Sequence, residues 1–248
     1  MKTAKRFWIP AAILCCILAG GVGIFLLDKG IIHLNHPSNV QFPVRGVDVS
    51  AHQGNIDWET LQGQDVQFAY LKATEGSTFQ DKQFAVNWEN AQKAGILTGA
   101  YHFFSFDSEG KTQADNFIAT VPKLAGTLPP VVDIEFYGEK EQNRPSKEET
   151  AEILSELLGE LEAYYGVKPV LYGTMKSYRA YLEGGYEEYP IWIRDVISCP
   201  NLPDGRDWTF WQYSARHRLE GYDGREPFID QNVYCGTLEE LKQMCIAP

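Results

Sequence analysis

Downstream of residue 45 the chain alternates short apolar runs with amphipathic stretches. The runs cover residues 46–50, 66–72, 97–103, 130–135, 169–172, 190–193, 208–213 and 228–234, and are rich in the β-branched and aromatic residues that favour strands. Between them the sequence predicts helices over 82–94, closed by Gly95, and over 110–121. The best-marked helix opens at Ser146, where Glu149 completes a capping box. It then places Ile153, Leu154, Leu157, Leu158 and Leu161 on one face before Gly166 and Pro169 stop it. Strands alternating with helices predict a parallel sheet whose outer faces the helices cover. Eight strands favour a closed ring, an α/β fold of the (β/α) barrel, TIM-barrel-like kind. Such barrels typically take about 250 residues and seldom fewer than about 200, whereas residues 45–248 number 204. Some helices are therefore expected to be missing, and 193–208 and 213–228 read as loops or short turns.

A different kind of sequence precedes the barrel. Residues 7–27 carry no charge, with Lys2, Lys5 and Arg6 before them and Asp28 after. About 20 apolar residues at 1.5 Å each cross roughly 30 Å of hydrocarbon, so the run predicts a transmembrane helix. The alternative is a cleaved signal peptide, whose apolar region usually spans only about 7–15 residues and ends in a small-x-small site. Leu18-Ala19-Gly20-Gly21 matches that site imperfectly, and Leu14 is too large for the position before a lipidated cysteine. The expected division is a signal anchor over 1–27, a stem over 28–44 and one catalytic domain over 45–248. The basic residues before the run keep the N-terminus in the cytoplasm. The protein is thus expected in the cell membrane as a single-pass protein with its domain outside the cytoplasm; secretion after cleavage is the alternative.

Charge narrows the partners. The chain holds 22 Lys+Arg against 33 Asp+Glu, a net −11. Residues 45–248 keep 18 basic and 32 acidic side chains, a net −14. A nucleic-acid binder needs a basic face for phosphates, so that class is excluded. Outside the apolar run stand Cys199, Cys235 and Cys245, which allow one disulfide and a free thiol without assigning the pair. No Cys-x-x-Cys or His-Glu-x-x-His is present and the five histidines are scattered, so no metal and no cofactor is expected. Oligomeric state is not legible.

Acidic residues stand where core strands should be apolar: Asp48, Asp133, Glu135 and Asp230. An ionised carboxylate there is costly unless it is paired or functional, and parallel barrels carry their chemistry at the C-terminal ends of strands. Asp133 and Glu135 are two apart, so both project to one side. Two carboxyl groups facing a cleft can be driven apart in pKa, one kept as an acid and the other charged, which is the equipment of glycoside hydrolysis. Tyr101, Tyr172, Trp192 and Trp211 lie on predicted strands and could stack on or bond to sugar rings. Taken singly, each aromatic is better explained by core packing. For the acids a salt bridge or calcium site is the competing explanation, and four of them at strand ends outweigh it.

These residues fall in motifs: Gly46-Val-Asp-Val-Ser-Ala-His-Gln-Gly54, Lys72-Ala-Thr-Glu-Gly76, Gly99-Ala-Tyr-His-Phe-Phe104, Val132-Asp-Ile-Glu135, Tyr172-Gly173, Phe210-Trp-Gln-Tyr213 and Ile229-Asp-Gln-Asn232. The ordered set, spread over about 45–244, resembles glycoside hydrolase family 25, the Chalaropsis-type lysozymes (N-acetylmuramidases). The resemblance implies a modified barrel, written β5α5β3, and hydrolysis of the β-1,4 bond between N-acetylmuramic acid and N-acetylglucosamine in the glycan strands of peptidoglycan. By position it implies Glu135 as acid/base and Asp133 as the group that orients the substrate's 2-acetamido group or stabilises charge. Asp48 and Asp230 become further cleft acids, and Tyr101, Tyr172, Trp192 and Trp211 substrate-binding residues. Arg194-Asp195 departs from the family pattern, and Glu75 is as readily structural as sugar-binding. The competing class is a non-catalytic glycan-binding or scaffold protein of the cell envelope. A polysaccharide deacetylase or metalloenzyme would need a His/Asp set that is not found.

Overall fold

The computed structural model describes residues 5–248, with side chains described from Ile13 onward. It divides into two compact units, one ending at Leu34 and the other spanning Asn35–Pro248. In the first, the uncharged run lies within helix α1 (Lys5–Asp28). Among the described residues no helix is long and apolar enough to cross a membrane, so the expected span finds no support there. Its opening part, residues 7–12, lies outside the described side chains.

The second unit holds strands β1 (Val44–Val49), β2 (Phe68–Glu75), β3 (Phe79–Gln80), β4 (Leu97–Phe103), β5 (Val131–Ile134), β6 (Val170–Thr174), β7 (Ile191–Arg194), β8 (Phe210–His217) and β9 (Ile229–Tyr234). β3 is a two-residue strand turned back onto β2. The other eight overlap the eight predicted runs and close into a barrel, because β1 pairs with both β2 and β9. Neighbours are parallel from β1 round to β8, as expected, but β9 runs antiparallel to both β8 and β1. The link between His217 and Ile229 is short, covering only residues 218–228. A parallel return needs a crossover of a dozen or more residues, whereas a short link can double back.

Helices α2 (Trp58–Gln62), α3 (Phe84–Lys93), α4 (Gly110–Thr120) and α5 (Lys147–Tyr165) follow the early strands, with α6 (Met175–Ser177) and α7 (Leu238–Gln243) later. The capping box forms: Ser146 Oγ accepts from the Glu149 N–H, and the Glu149 carboxylate accepts from the Ser146 N–H, each at 3.2 Å. Gly166 then ends α5 in a left-handed conformation, φ +76°. No helix covers the connection from β7 to β8, where the abbreviation was expected.

Strand alternation sorts the core into two layers. Val47, Val49, Ala69, Leu71, Val132, Ile134, Leu171 and Ile193 face outward to the helices. Phe68, Tyr70, Val131, Val170, Trp192, Phe210 and Tyr234 fill the barrel. That filling leaves no room at Gly99, where a Cβ would sit 2.3 Å from the Tyr70 ring. The barrel is thus plugged with rings below and polar above. Part of the segment expected as a stem belongs to this unit: Asn35 donates to the carbonyls of Asp195 and Tyr213, and Phe42 is buried against Trp208 and Trp211. All five cysteines are free thiols.

Candidate active site

The inward alternation continues upward from the plug into a cleft with an empty volume of about 580 Å³. Asp48 comes from β1, Lys72 from β2, Tyr101 and Phe103 from β4, Asp133 from β5 with Glu135 just beyond it, Tyr172 from β6, Trp192 from β7, Gln212 from β8 and Asp230 from β9. Asp230 reaches the mouth by a route the sequence reading did not foresee. It is the second residue of β9, and only because that strand is reversed does it stand opposite Asp48 in the ladder.

Two amides tie the acids together. Gln212 Nε2 donates to Asp48 at 2.9 Å and to Asp230 at 3.2 Å, while Asn232 Nδ2 donates to Asp48 at 2.7 Å. Each amide is oriented from behind, since Tyr172 O–H donates to Gln212 Oε1 at 3.0 Å and the Trp192 indole N–H to Asn232 Oδ1 at 2.9 Å. An amide whose oxygen is already occupied must turn its N–H groups to the carboxylates. Lys72 lies 2.7 Å from Glu75 and 4.9 Å from the centre of the Phe103 ring. Glu75 is therefore a partner of Lys72, and it does not line the cleft.

All four acids are pushed above the usual carboxylate range. For Asp133 burial is the main cause, followed by the negative charges of Glu135 and Asp48. Glu135 is raised by burial too, with the Arg194 guanidinium opposing. Burial and then the charge of Asp48 raise Asp230. Asp48 is raised by burial against the hydrogen bonds of Asn232 and Gln212. Close buried carboxyl groups cannot all ionise, so the cluster retains protons above the ordinary carboxylate range. Asp133 is only 8% exposed and its Oδ1 is buried without a hydrogen-bond partner. Burial raises the Tyr101 and Tyr172 phenols as well, which keeps both as O–H donors. Among the described residues no group of three His, Cys, Asp or Glu is arranged to hold a metal ion.

The structure thus gathers Asp48, Asp133, Glu135, Asp230, Tyr101, Tyr172 and Trp192 around one cleft. Trp211 is the exception. It faces out of the barrel, 3% exposed, among Phe42, Trp208 and Tyr213, with its N–H on the Asp195 carbonyl at 2.7 Å. Period-two alternation puts Gln212, not Trp211, on the inward side with Phe210, and that signal was present in the sequence. Trp192 lies in the cleft floor but is 2% exposed, so it braces Asn232 and offers no open ring face. The reading of single residues also passed over Asn232, whose role needs the β1–β9 pairing to be visible.

Residues 47–222 match the profile of Glycosyl hydrolases family 25. In structure the chain is similar to a family 25 glycosyl hydrolase from Bacillus anthracis, with a TM-score of 0.81 and 48% sequence identity over 86% of this chain and 97% of that one. In sequence it is similar to Lysozyme M1 of Streptomyces globisporus, 34% identical over 80% of this chain and 70% of the relative. It is also similar to an N,O-diacetylmuramidase of Chalaropsis sp, 26% identical over 81% and 98% of the two chains.

Proposed function

The chain belongs to glycosyl hydrolase family 25, and on that footing we propose that its barrel is a lysozyme hydrolysing the β-1,4 bond between N-acetylmuramic acid and N-acetylglucosamine in peptidoglycan. The observation that carries the reading is Asp133, a buried carboxylate with a lone oxygen, two residues from Glu135 in the same cleft. An unpaired buried acceptor is costly in the resting protein and is a receptor for an N–H in a complex. The sugar's 2-acetamido group supplies that N–H. Once it donates, the anionic form of Asp133 is favoured and the proton retained by the pair belongs to Glu135.

Glu135 then protonates the leaving glycosidic oxygen as its bond to C1 breaks, and the acetamido carbonyl oxygen closes on C1. Glu135, now ionised, accepts a proton from the water that adds to C1, which restores both the acid and the acetamido group. The negative charge of Asp48 helps to hold the proton on Glu135, and Tyr101 offers an O–H donor to the bound sugar. Cleavage by the full-length protein should create new reducing ends that, after borohydride treatment, yield reduced muramic acid. Glu135→Gln should abolish release without loss of fold. New glucosamine ends would refute the bond assignment, and full activity of the variant would refute the acid.

The same reading places the barrel outside the cytoplasmic membrane, tethered by residues 7–27. Support comes from the length of that run without charge and the three basic residues before it. A domain of net −14 gains nothing from bulk attraction to an anionic wall, whereas a tether raises its local concentration there. Protease added to intact spheroplasts should digest the barrel and leave the tether in the membrane fraction. Recovery of the protein from the medium with a shortened N-terminus would replace the tether by secretion after cleavage.

A further inference from the structure

Beside the catalytic cleft, and sharing Asp48, Tyr101 and Asp230 with it, lies a second groove of about 880 Å³. The chemistry above does not use its far wall, where Arg194 and Arg216 stand. Arg194 ends β7 on the inward face, between Thr174 and Gln212 in the ladder. Its charge acts on Asp48, Glu135 and Asp230, yet among the described residues it forms no salt bridge. Among the same described residues no side chain or carbonyl accepts a hydrogen bond from its guanidinium either. A guanidinium offers five N–H donors in a fixed planar fork. A half-buried fork left unsatisfied at the edge of a cleft is free to take an acceptor from a ligand.

The surroundings suit an anion. Arg216 lies over the Phe228 ring at 5.4 Å, which fixes a second guanidinium on the same wall. Glu226 also lines the groove, but its Oε1 accepts from the Phe228 N–H at 3.2 Å. On a chain of net −11, two arginines on one groove wall run against the average charge of the molecule.

We propose that this groove is a carboxylate subsite, in which Arg194, backed by Arg216, receives a carboxylate carried by the muramyl part of the substrate. The inference rests on the lysozyme reading above. The acid is either the free lactyl group of a peptide-free strand or a carboxylate of the stem peptide. Both present the planar pair of oxygens that a guanidinium fork binds through two parallel N–H bonds, and a neutral acetylated glycan presents none. The subsite therefore makes the enzyme selective for muramic-acid strands over neutral polymers of N-acetylglucosamine.

Four soluble glycans test this: peptide-bearing strands and strands stripped of peptide by an amidase, each with its carboxylates intact or converted to primary amides. Amidation should lower the wild-type kcat/KM roughly tenfold or more, mainly through KM. A drop within the peptide-free pair assigns the subsite to the lactyl acid, and a drop within the peptide-bearing pair assigns it to the stem peptide. Arg194→Gln should bring that ratio close to one, and Arg194→Lys should restore part of it. Equilibrium binding to the Glu135→Gln protein, with and without Arg194→Gln, gives the same comparison independently of turnover. A wild-type ratio near one, or an Arg194→Gln ratio equal to the wild type's, overturns the subsite while the lysozyme reading stands. If none of the four glycans is cleaved, the lysozyme reading fails and the subsite falls with it.

Discussion

Asp133→Asn should stabilise the barrel while abolishing its turnover. Asp133 is 8% exposed, its Oδ1 has no partner, and burial followed by the charges of Glu135 and Asp48 pushes its carboxyl well above the usual range. When ionised it is a buried acceptor left unmade, which costs roughly 1–3 kcal/mol; asparagine keeps the shape without the charge. The dependence on pH has a definite sign. Because the folded pKa lies above the unfolded value of 3.8, the stability tied to this group is complete below that value and is lost as pH rises through the folded pKa. The variant escapes that loss. Wild type and variant should melt together near pH 3.8, and the gap should widen as pH rises. A domain of this size moves by about 2–4 °C per kcal/mol, so the gap should reach roughly 2–12 °C at neutral pH. Thermal unfolding followed by circular dichroism at a series of pH values, with peptidoglycan release measured alongside, is the assay. A variant that melts below the wild type at neutral pH, or a gap that does not widen, would show that the lone oxygen costs the fold nothing.

Trp211→Ala should lower the unfolding free energy by roughly 3–5 kcal/mol in urea titrations, as expected for removal of a large core ring, with KM for peptidoglycan unchanged. A raised KM would return Trp211 to the substrate. Gln212→Leu keeps the volume but strips a donor from Asp48 and Asp230 and an acceptor from Tyr172, each buried group left unpaired costing roughly 1–3 kcal/mol. Its unfolding free energy and kcat should both fall; a stability within about 0.5 kcal/mol of wild type, the range of an ordinary surface change, would mean that the network holds nothing in place.

The barrel is legible because its strands are short and apolar and the early ones are separated by amphipathic helices, and because the box at Ser146 is a local device that needs no tertiary partner. The acids were legible for a related reason: charge inside an apolar strand conflicts with its surroundings, and conflict is visible in one dimension. What sequence reading missed depends on direction and side. β9 was assigned to the parallel set because nothing in Phe228 to Tyr234 encodes strand polarity, which is decided by the link that precedes it. Trp211 reads as a cleft residue in sequence because an aromatic suits a sugar, although alternation from Phe210 puts Gln212 inward.

Arg194 shows the same limit from the other side. In sequence it reads as half of an Arg-Asp charge pair, yet Asp195 turns its carboxylate to the N–H groups of Ile197 and Ser198 and leaves the arginine to the cleft. Adjacent residues on a strand face opposite ways, so neighbours in sequence are poor candidates for partners. The groups that do pair across this site, Asp48 with Gln212 and Asn232, are 164 and 184 residues apart. The composition of the cleft can thus be read from periodicity along each strand, but its pairing is a property of the closed ring. The arginine that closure leaves unpaired is consequently the one whose function the substrate must supply.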